Sequence, residues 1–137
     1  MSPFAYILRD LRVIRKLLQK EAAEMLGYEQ SYISALENGS KGPPKQEFIN
    51  KLILKFELDT HEQEKLRVAL EKSKRKLVVP LAADVAEYEI CHQLDTQLGR
   101  LLPKQIELIK FALNLRELCH NTEQKLISDK ELEESKM

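Results

Sequence analysis

Apolar residues recur along this chain at three- and four-residue steps, and each run ends at a helix breaker. Phe4, Ile7, Leu8, Leu11, Ile14, Leu17 and Leu18 make the first stripe, with Arg9, Arg15 and Lys16 facing away. Ser2 is placed to cap this helix, and Pro3 sits at its first helical position, where a missing N–H costs nothing. A short second helix, Gln19 to Leu26, should stop at Gly27, which takes a positive φ without a Cβ clash. The third runs from Gln30 to Glu37, before the breaker cluster Asn38-Gly39-Ser40-Lys41-Gly42-Pro43-Pro44. A fourth, Lys45 to Phe56, turns Phe48, Ile49, Leu52, Ile53 and Phe56 inward. A fifth starts at Thr60, read as a capping box with Gln63, and carries Leu66, Ala69 and Leu70 into the charged stretch Glu71 to Lys76.

Leu77-Val78-Val79-Pro80 is β-branched and ends in proline, so it reads as an extended connector and a boundary. Two more helical patterns follow. One uses Ala82, Ala86, Ile90, Leu94 and Leu98; the other opens at Pro103 and spreads Ile106, Leu108, Ile109, Phe111, Ala112, Leu113, Leu115, Leu118 and Cys119 over more than half its circumference. A helix that apolar needs cover on two sides. The expected organisation is all-α: residues 1–77, a helical hairpin within 78–121, and a polar, flexible tail over 122–137.

Composition sharpens the picture. At 137 residues, the length suits one domain with an appendage. No apolar run approaches the roughly 20 residues that span a bilayer, and the first six residues lack the zones of a signal peptide; a cytoplasmic protein without membrane contact is expected. Cys91 and Cys119 are the two cysteines, too few for a disulfide scaffold. The chain is neutral overall, but residues 1–77 hold 15 basic against 11 acidic side chains and residues 78–137 hold seven against 11. A basic front and an acidic rear are what one expects when only the front approaches a polyanion.

The stretch Gln19 to Gly39 carries the functional argument. Two short helices crossing steeply need a small residue at their closest approach, a glycine at the turn, and a branched residue pinning the second helix. Ala23, Gly27 and Ile33 occupy positions 5, 9 and 15 of the unit, and Leu26 and Leu36 complete its buried seam. Gln30, Ser31, Ser34 and Ala35 then lie on the exposed face of the second helix, short enough to approach base edges. In this, and in Leu11-Arg12, Tyr32-Ile33-Ser34 and Leu36-Glu37-Asn38-Gly39, residues 4–70 resemble the phage repressor and Cro type of helix-turn-helix, the XRE family.

The resemblance implies a lambda-repressor-like five-helix domain with the third helix in the DNA major groove. It implies that Gln30 and its neighbours Ser31, Ser34 and Ala35 read bases, that Gln19 and Tyr32 face phosphate, and that Arg12 and Glu37 form a buried ion pair joining the first helix to the third. Gln30 fits, because its amide pairs with N7 and N6 of adenine; Ala35 offers only a methyl contact to thymine. The pattern departs from the family at Leu18, which has no capping oxygen, and at Glu29, whose charge suits a helix N-terminus but opposes nearby phosphate. Asn38, Lys41 and Lys45, on or beside the loop after the third helix, are further candidates for binding phosphate.

Other constellations are weaker. His61-Glu62-Gln63-Glu64-Lys65 begins like a zinc-protease motif but has lysine where the second histidine belongs. Cys91-His92 and Cys119-His120 place adjacent side chains about 100° apart on a helix, ill suited to one tetrahedral site. No metal, no cofactor and no enzyme activity are expected. The expected function is a dimeric repressor of double-stranded DNA that reads an inverted repeat, with Leu108, Phe111, Ala112, Leu115 and Leu118 as the dimer face. The alternative is an antitoxin-like module whose acidic rear masks a protein partner; RNA binding lacks exposed aromatic platforms.

Overall fold

The computed structural model describes residues 1–136, and among them all regular structure is helical. Five helices form the first unit: α1 (Pro3–Ile14), α2 (Gln19–Leu26), α3 (Gln30–Asn38), α4 (Gln46–Lys55) and α5 (Thr60–Lys72). The chain divides into two compact units, Met1–Val78 and Val79–Met137. In the first, the apolar stripes of all five helices meet in one core that includes Phe4, Leu8, Leu11, Ala23, Leu26, Ile33, Leu36, Phe48, Leu52 and Leu66. Each such leucine or phenylalanine contributes about 1.5 to 3 kcal/mol by leaving water.

Local chemistry sets the helix ends. The Ser2 hydroxyl accepts the Ala5 N–H at 3.1 Å, and Gly27 and Gly39 close α2 and α3 with φ of 77° and 82°. Phe4, whose N–H has no partner within α1, donates instead to Oγ of buried Ser73 at 2.8 Å, while the Ser73 hydroxyl donates to the Ala69 carbonyl. One hydroxyl thus ties the start of α1 to the end of α5.

The cap of α5 is Asp59, not Thr60. The Asp59 carboxylate accepts the Glu62 N–H at 2.8 Å and Glu62 reaches back to the Asp59 N–H, one residue out of register with the expected box. This frame prevails because it also delivers Glu62 to Arg15. Arg15 does not face away: Nη1 and Nη2 each donate to a Glu62 oxygen at 2.9 Å, and Nε donates to the Phe56 carbonyl. The guanidinium closes the gap between α1, the end of α4 and the start of α5.

The second unit contains α6 (Val85–Gln97), α7 (Pro103–Leu113) and α8 (Leu115–Ser135). Asp84 caps α6, exchanging hydrogen bonds with Glu87. Two expectations change here. The last apolar helix does not run unbroken past residue 113, because the Asn114 side chain donates to the Lys110 carbonyl while its N–H is shared between Lys110 and Phe111. Asparagine competes locally for helix hydrogen bonds in this way. The stretch read as a tail is helical to Ser135, consistent with its good helix formers Glu, Lys and Leu. None of the described residues of this unit is buried.

The Arg15 guanidinium holds the Glu62 carboxyl below its ordinary pKa by hydrogen bonding, with partial burial opposing. A carboxyl with a depressed folded-state pKa stabilises the fold above the range where a free glutamate titrates, and that contribution is lost as pH falls through the depressed value. Urea midpoints measured from neutral to acid pH are expected to fall less steeply for Glu62→Gln than for the parent; parallel curves would show that the pair carries no such linkage.

Candidate nucleic-acid interface

The surface built by α2, α3 and the following loop is organised around a carboxylate. Glu37 is 4% exposed. Its Oε1 accepts from Arg12 Nε at 2.7 Å and its Oε2 accepts from Arg12 Nη2 at 3.4 Å. Arg12 Nη1 also donates to the Leu17 carbonyl, and Gln19 Nε2 donates to Glu37 Oε2. These hydrogen bonds join α1, the α1–α2 turn, the first residue of α2 and the last turn of α3. Leu18 contributes no side-chain cap; its N–H donates to Glu21 at 3.0 Å.

With α3 clamped at its C-terminal end, its buried face is Ile33, Leu36 and Glu37. Gln30 and Ser31 are exposed at its start, and Ser34 and Ala35 are half-buried one turn on. These four share the open side of the helix. Glu29 stands at the N-cap without a side-chain bond to the helix.

The residues expected to face phosphate divide. Gln19 is turned inward onto Glu37, so its side chain positions α3 rather than standing free. The Asn38 carboxamide oxygen accepts both the N–H and the hydroxyl of Ser40, which shapes the loop. Tyr32 is half-buried: its ring stacks on Tyr28 with centroids 5.1 Å apart and meets Phe48 edge-on at 5.8 Å. Burial, and then the neighbouring Tyr28, raise the Tyr32 phenol above its ordinary pKa. Lys41 and Lys45 are exposed.

Two features were not read from the sequence. Lys41 Nζ lies 4.9 Å from the centre of the Tyr32 ring, and Lys51 Nζ lies 4.9 Å from that of Tyr28. The stacked tyrosines thus carry a lysine from the loop and another from α4, distances at which a ring face attracts a cation. The four-residue spacing of Tyr28 and Tyr32 was a visible signal, but nothing local in the sequence linked either ring to Lys51.

The five residues expected at a dimer face are all exposed, Leu108, Phe111 and Ala112 on α7 and Leu115 and Leu118 on α8, so they lie on two helices rather than one. Leu108 also lines the groove between α6 and α7 with Ile90, Leu94 and Ile109. Both cysteines are free and exposed. Among the described residues no helix is long and apolar enough to cross a membrane, and no three His, Cys, Asp or Glu residues are grouped to hold a metal ion.

A small residue at the helix crossing, a left-handed glycine in the turn and an open second helix define the helix-turn-helix class, and residues 8–63 match the helix-turn-helix family model. That segment is similar to the helix-turn-helix family over those residues. It is similar to an uncharacterized HTH-type transcriptional regulator, RghRB of Bacillus subtilis (strain 168), with 46% identity over 52 residues, 38% of this chain and 37% of that protein. The chain thus matches little more than a third of this relative's length. No solved structure matches.

Removing one partner of a buried, hydrogen-bonded ion pair strands the other, at a cost of roughly 3 to 5 kcal/mol. Arg12→Ala is expected to lose that much in chemical denaturation, and Arg12→Met combined with Glu37→Leu to recover most of it. Equal losses in both would show that the charges stabilise α3 beyond satisfying each other.

Proposed function

We propose that this protein is a sequence-specific transcription regulator that binds double-stranded DNA through α3 and represses by occupying an inverted-repeat operator as a homodimer. The observation that carries the reading is the open face of α3, with Gln30, Ser31, Ser34 and Ala35 on a helix whose opposite side is locked to α1 and α2. Pre-positioning matters because base-edge hydrogen bonds discriminate only when the donor and acceptor pair is held in register. Gln30 pairs with an adenine, the two serines hydrogen-bond to base edges, and Ala35 meets a thymine methyl. Lys41 and Lys45, with Tyr32 and the backbone around Asn38, take the phosphates; Gln19 acts through Glu37. A chain working on the host's DNA operates in the cytoplasm.

One α3 reads few base pairs, and a two-fold pair of them reads half-sites about one DNA turn apart. The second unit supports dimerisation through what it lacks. Its helices α6 and α7 span 13 and 11 residues, lengths that are marginal for isolated helices in water, and large apolar side chains of the unit, among them Phe111 at 58% exposure, remain open. A second copy would cover the residues at the α7–α8 junction. The same open face admits a second reading, in which a different protein covers it, as in an antitoxin.

Selection of bound duplexes from a random pool, at physiological salt with nonspecific competitor, is expected to enrich an inverted repeat. Gln30→Ala should weaken binding to that repeat by roughly 1 to 3 kcal/mol and relax preference at one base per half-site; unchanged selectivity would remove Gln30 from base reading. For the second unit, sedimentation is expected to show a dimer of the parent chain and monomers of Leu115→Glu. A dimeric variant would move the interface elsewhere, and a monomeric parent that copurifies with a stoichiometric second protein would favour the antitoxin reading.

A further inference from the structure

The basic segment that follows α5 is not used by the helix-turn-helix itself. Lys72, Lys74, Arg75 and Lys76 place four cations in five residues at and just past the end of α5, and the fold returns Arg75 of these to the loop after α3. Arg75 lines one cleft with Asn38, Gly39, Lys41 and Gly42, so the end of the first unit lies against the loop that leaves α3. The placement follows from Ser73, which is buried and bonded to the start of α1 and so fixes where the chain emerges. Lys74 pairs with Glu71 at 2.8 Å, whereas Arg75 and Lys76 have no ion-pair partner among the described residues and are exposed.

Cations therefore run along one flank of α3: Lys51 over Tyr28, Lys41 over the stacked Tyr32, then Arg75 across the cleft from Lys41. Bonds to the phosphate backbone fix the register of a protein on duplex DNA without reading sequence, and a planar guanidinium suits a phosphate particularly well. We propose that Arg75 and Lys76 form a backbone clamp on the DNA strand beside the recognition helix, extending the phosphate-binding surface past the helix-turn-helix into the connector to the second unit. The clamp rests on the DNA-binding reading above and adds to it a site outside the matched segment.

Each phosphate neutralised by a protein cation contributes about 0.9 to the slope of log affinity against log salt. The test measures that slope with full-length chain on a duplex enriched by selection and on a scrambled duplex of equal length. Arg75→Gln with Lys76→Gln should lower the slope on both duplexes by about 0.9 for each phosphate no longer neutralised, with base preference unchanged. The swap Arg75→Lys with Lys76→Arg should restore it. Lys125→Gln with Lys130→Gln, an equal charge change on α8, should leave the slope as in the parent. An unchanged slope in the Arg75 and Lys76 variant, or an equal drop in the α8 variant, would overturn the clamp while leaving DNA binding intact. A parent chain that binds neither duplex would overturn the DNA-binding reading itself, and the clamp with it. All four substituted sites are exposed, and circular dichroism confirms that each variant is folded before binding is measured.

Discussion

The carboxylate of Glu37 is the constraint on which the arrangement of the first unit depends. A charge nearly closed off from water needs close, hydrogen-bonded partners. Those partners come from two places, Arg12 on α1 and Gln19 at the start of α2, and Arg12 also donates to the Leu17 carbonyl in the turn between them. Satisfying one acidic group therefore sets the relative placement of three helices. Ile33 and Leu36 also share a buried apolar core with Leu8 and Leu26, but apolar burial is non-directional and tolerates sliding that a hydrogen-bonded ion pair does not.

Around that constraint the first unit uses polar side chains as ties between distant helix ends. Ser73 holds the start of α1, and Arg15 holds the turn between α4 and α5. Both satisfy backbone groups that helix ends would otherwise leave without partners. Such ties keep α3 from rocking against its support, which the proposed base reading would require.

The second unit obeys a different balance. Helix signals are strong there, with Asp84 and Glu87 closing a capping box and Pro103 opening α7. Yet no described side chain is buried, so the apolar faces of α6, α7 and α8 have only partial cover within one chain. Hydrophobic surface left open in this way is a typical mark of an interaction site. The contrast between a closed front unit and an open rear one runs parallel to the charge asymmetry, in which the basic half carries α3 and the acidic half carries the uncovered face.

By itself the sequence determined the helical class, the starts of α1 and α5, the limits of α2, α3 and α4 to within a residue, the glycine turns at Gly27 and Gly39, and the exposure of Gln30 and Ser31 on α3, whereas the apolar stripe read on to Leu18 outruns α1, which ends at Ile14. These follow from periodicity, breakers and backbone sterics, which act over a few residues. The Arg12 and Glu37 pair was legible only through family resemblance. Tertiary structure alone decided that Arg15 turns inward to Glu62, that Ser73 binds the start of α1, that Gln19 serves Glu37, and that Lys51 caps Tyr28, because each partner is brought in from a different helix. It also chose between two local patterns that both scan as a cap, Asp59 with Glu62 and Thr60 with Gln63; the first brings Glu62 to a cation on α1. A side chain's role is set by what the fold places within about 3 Å of it, and periodicity carries no record of that.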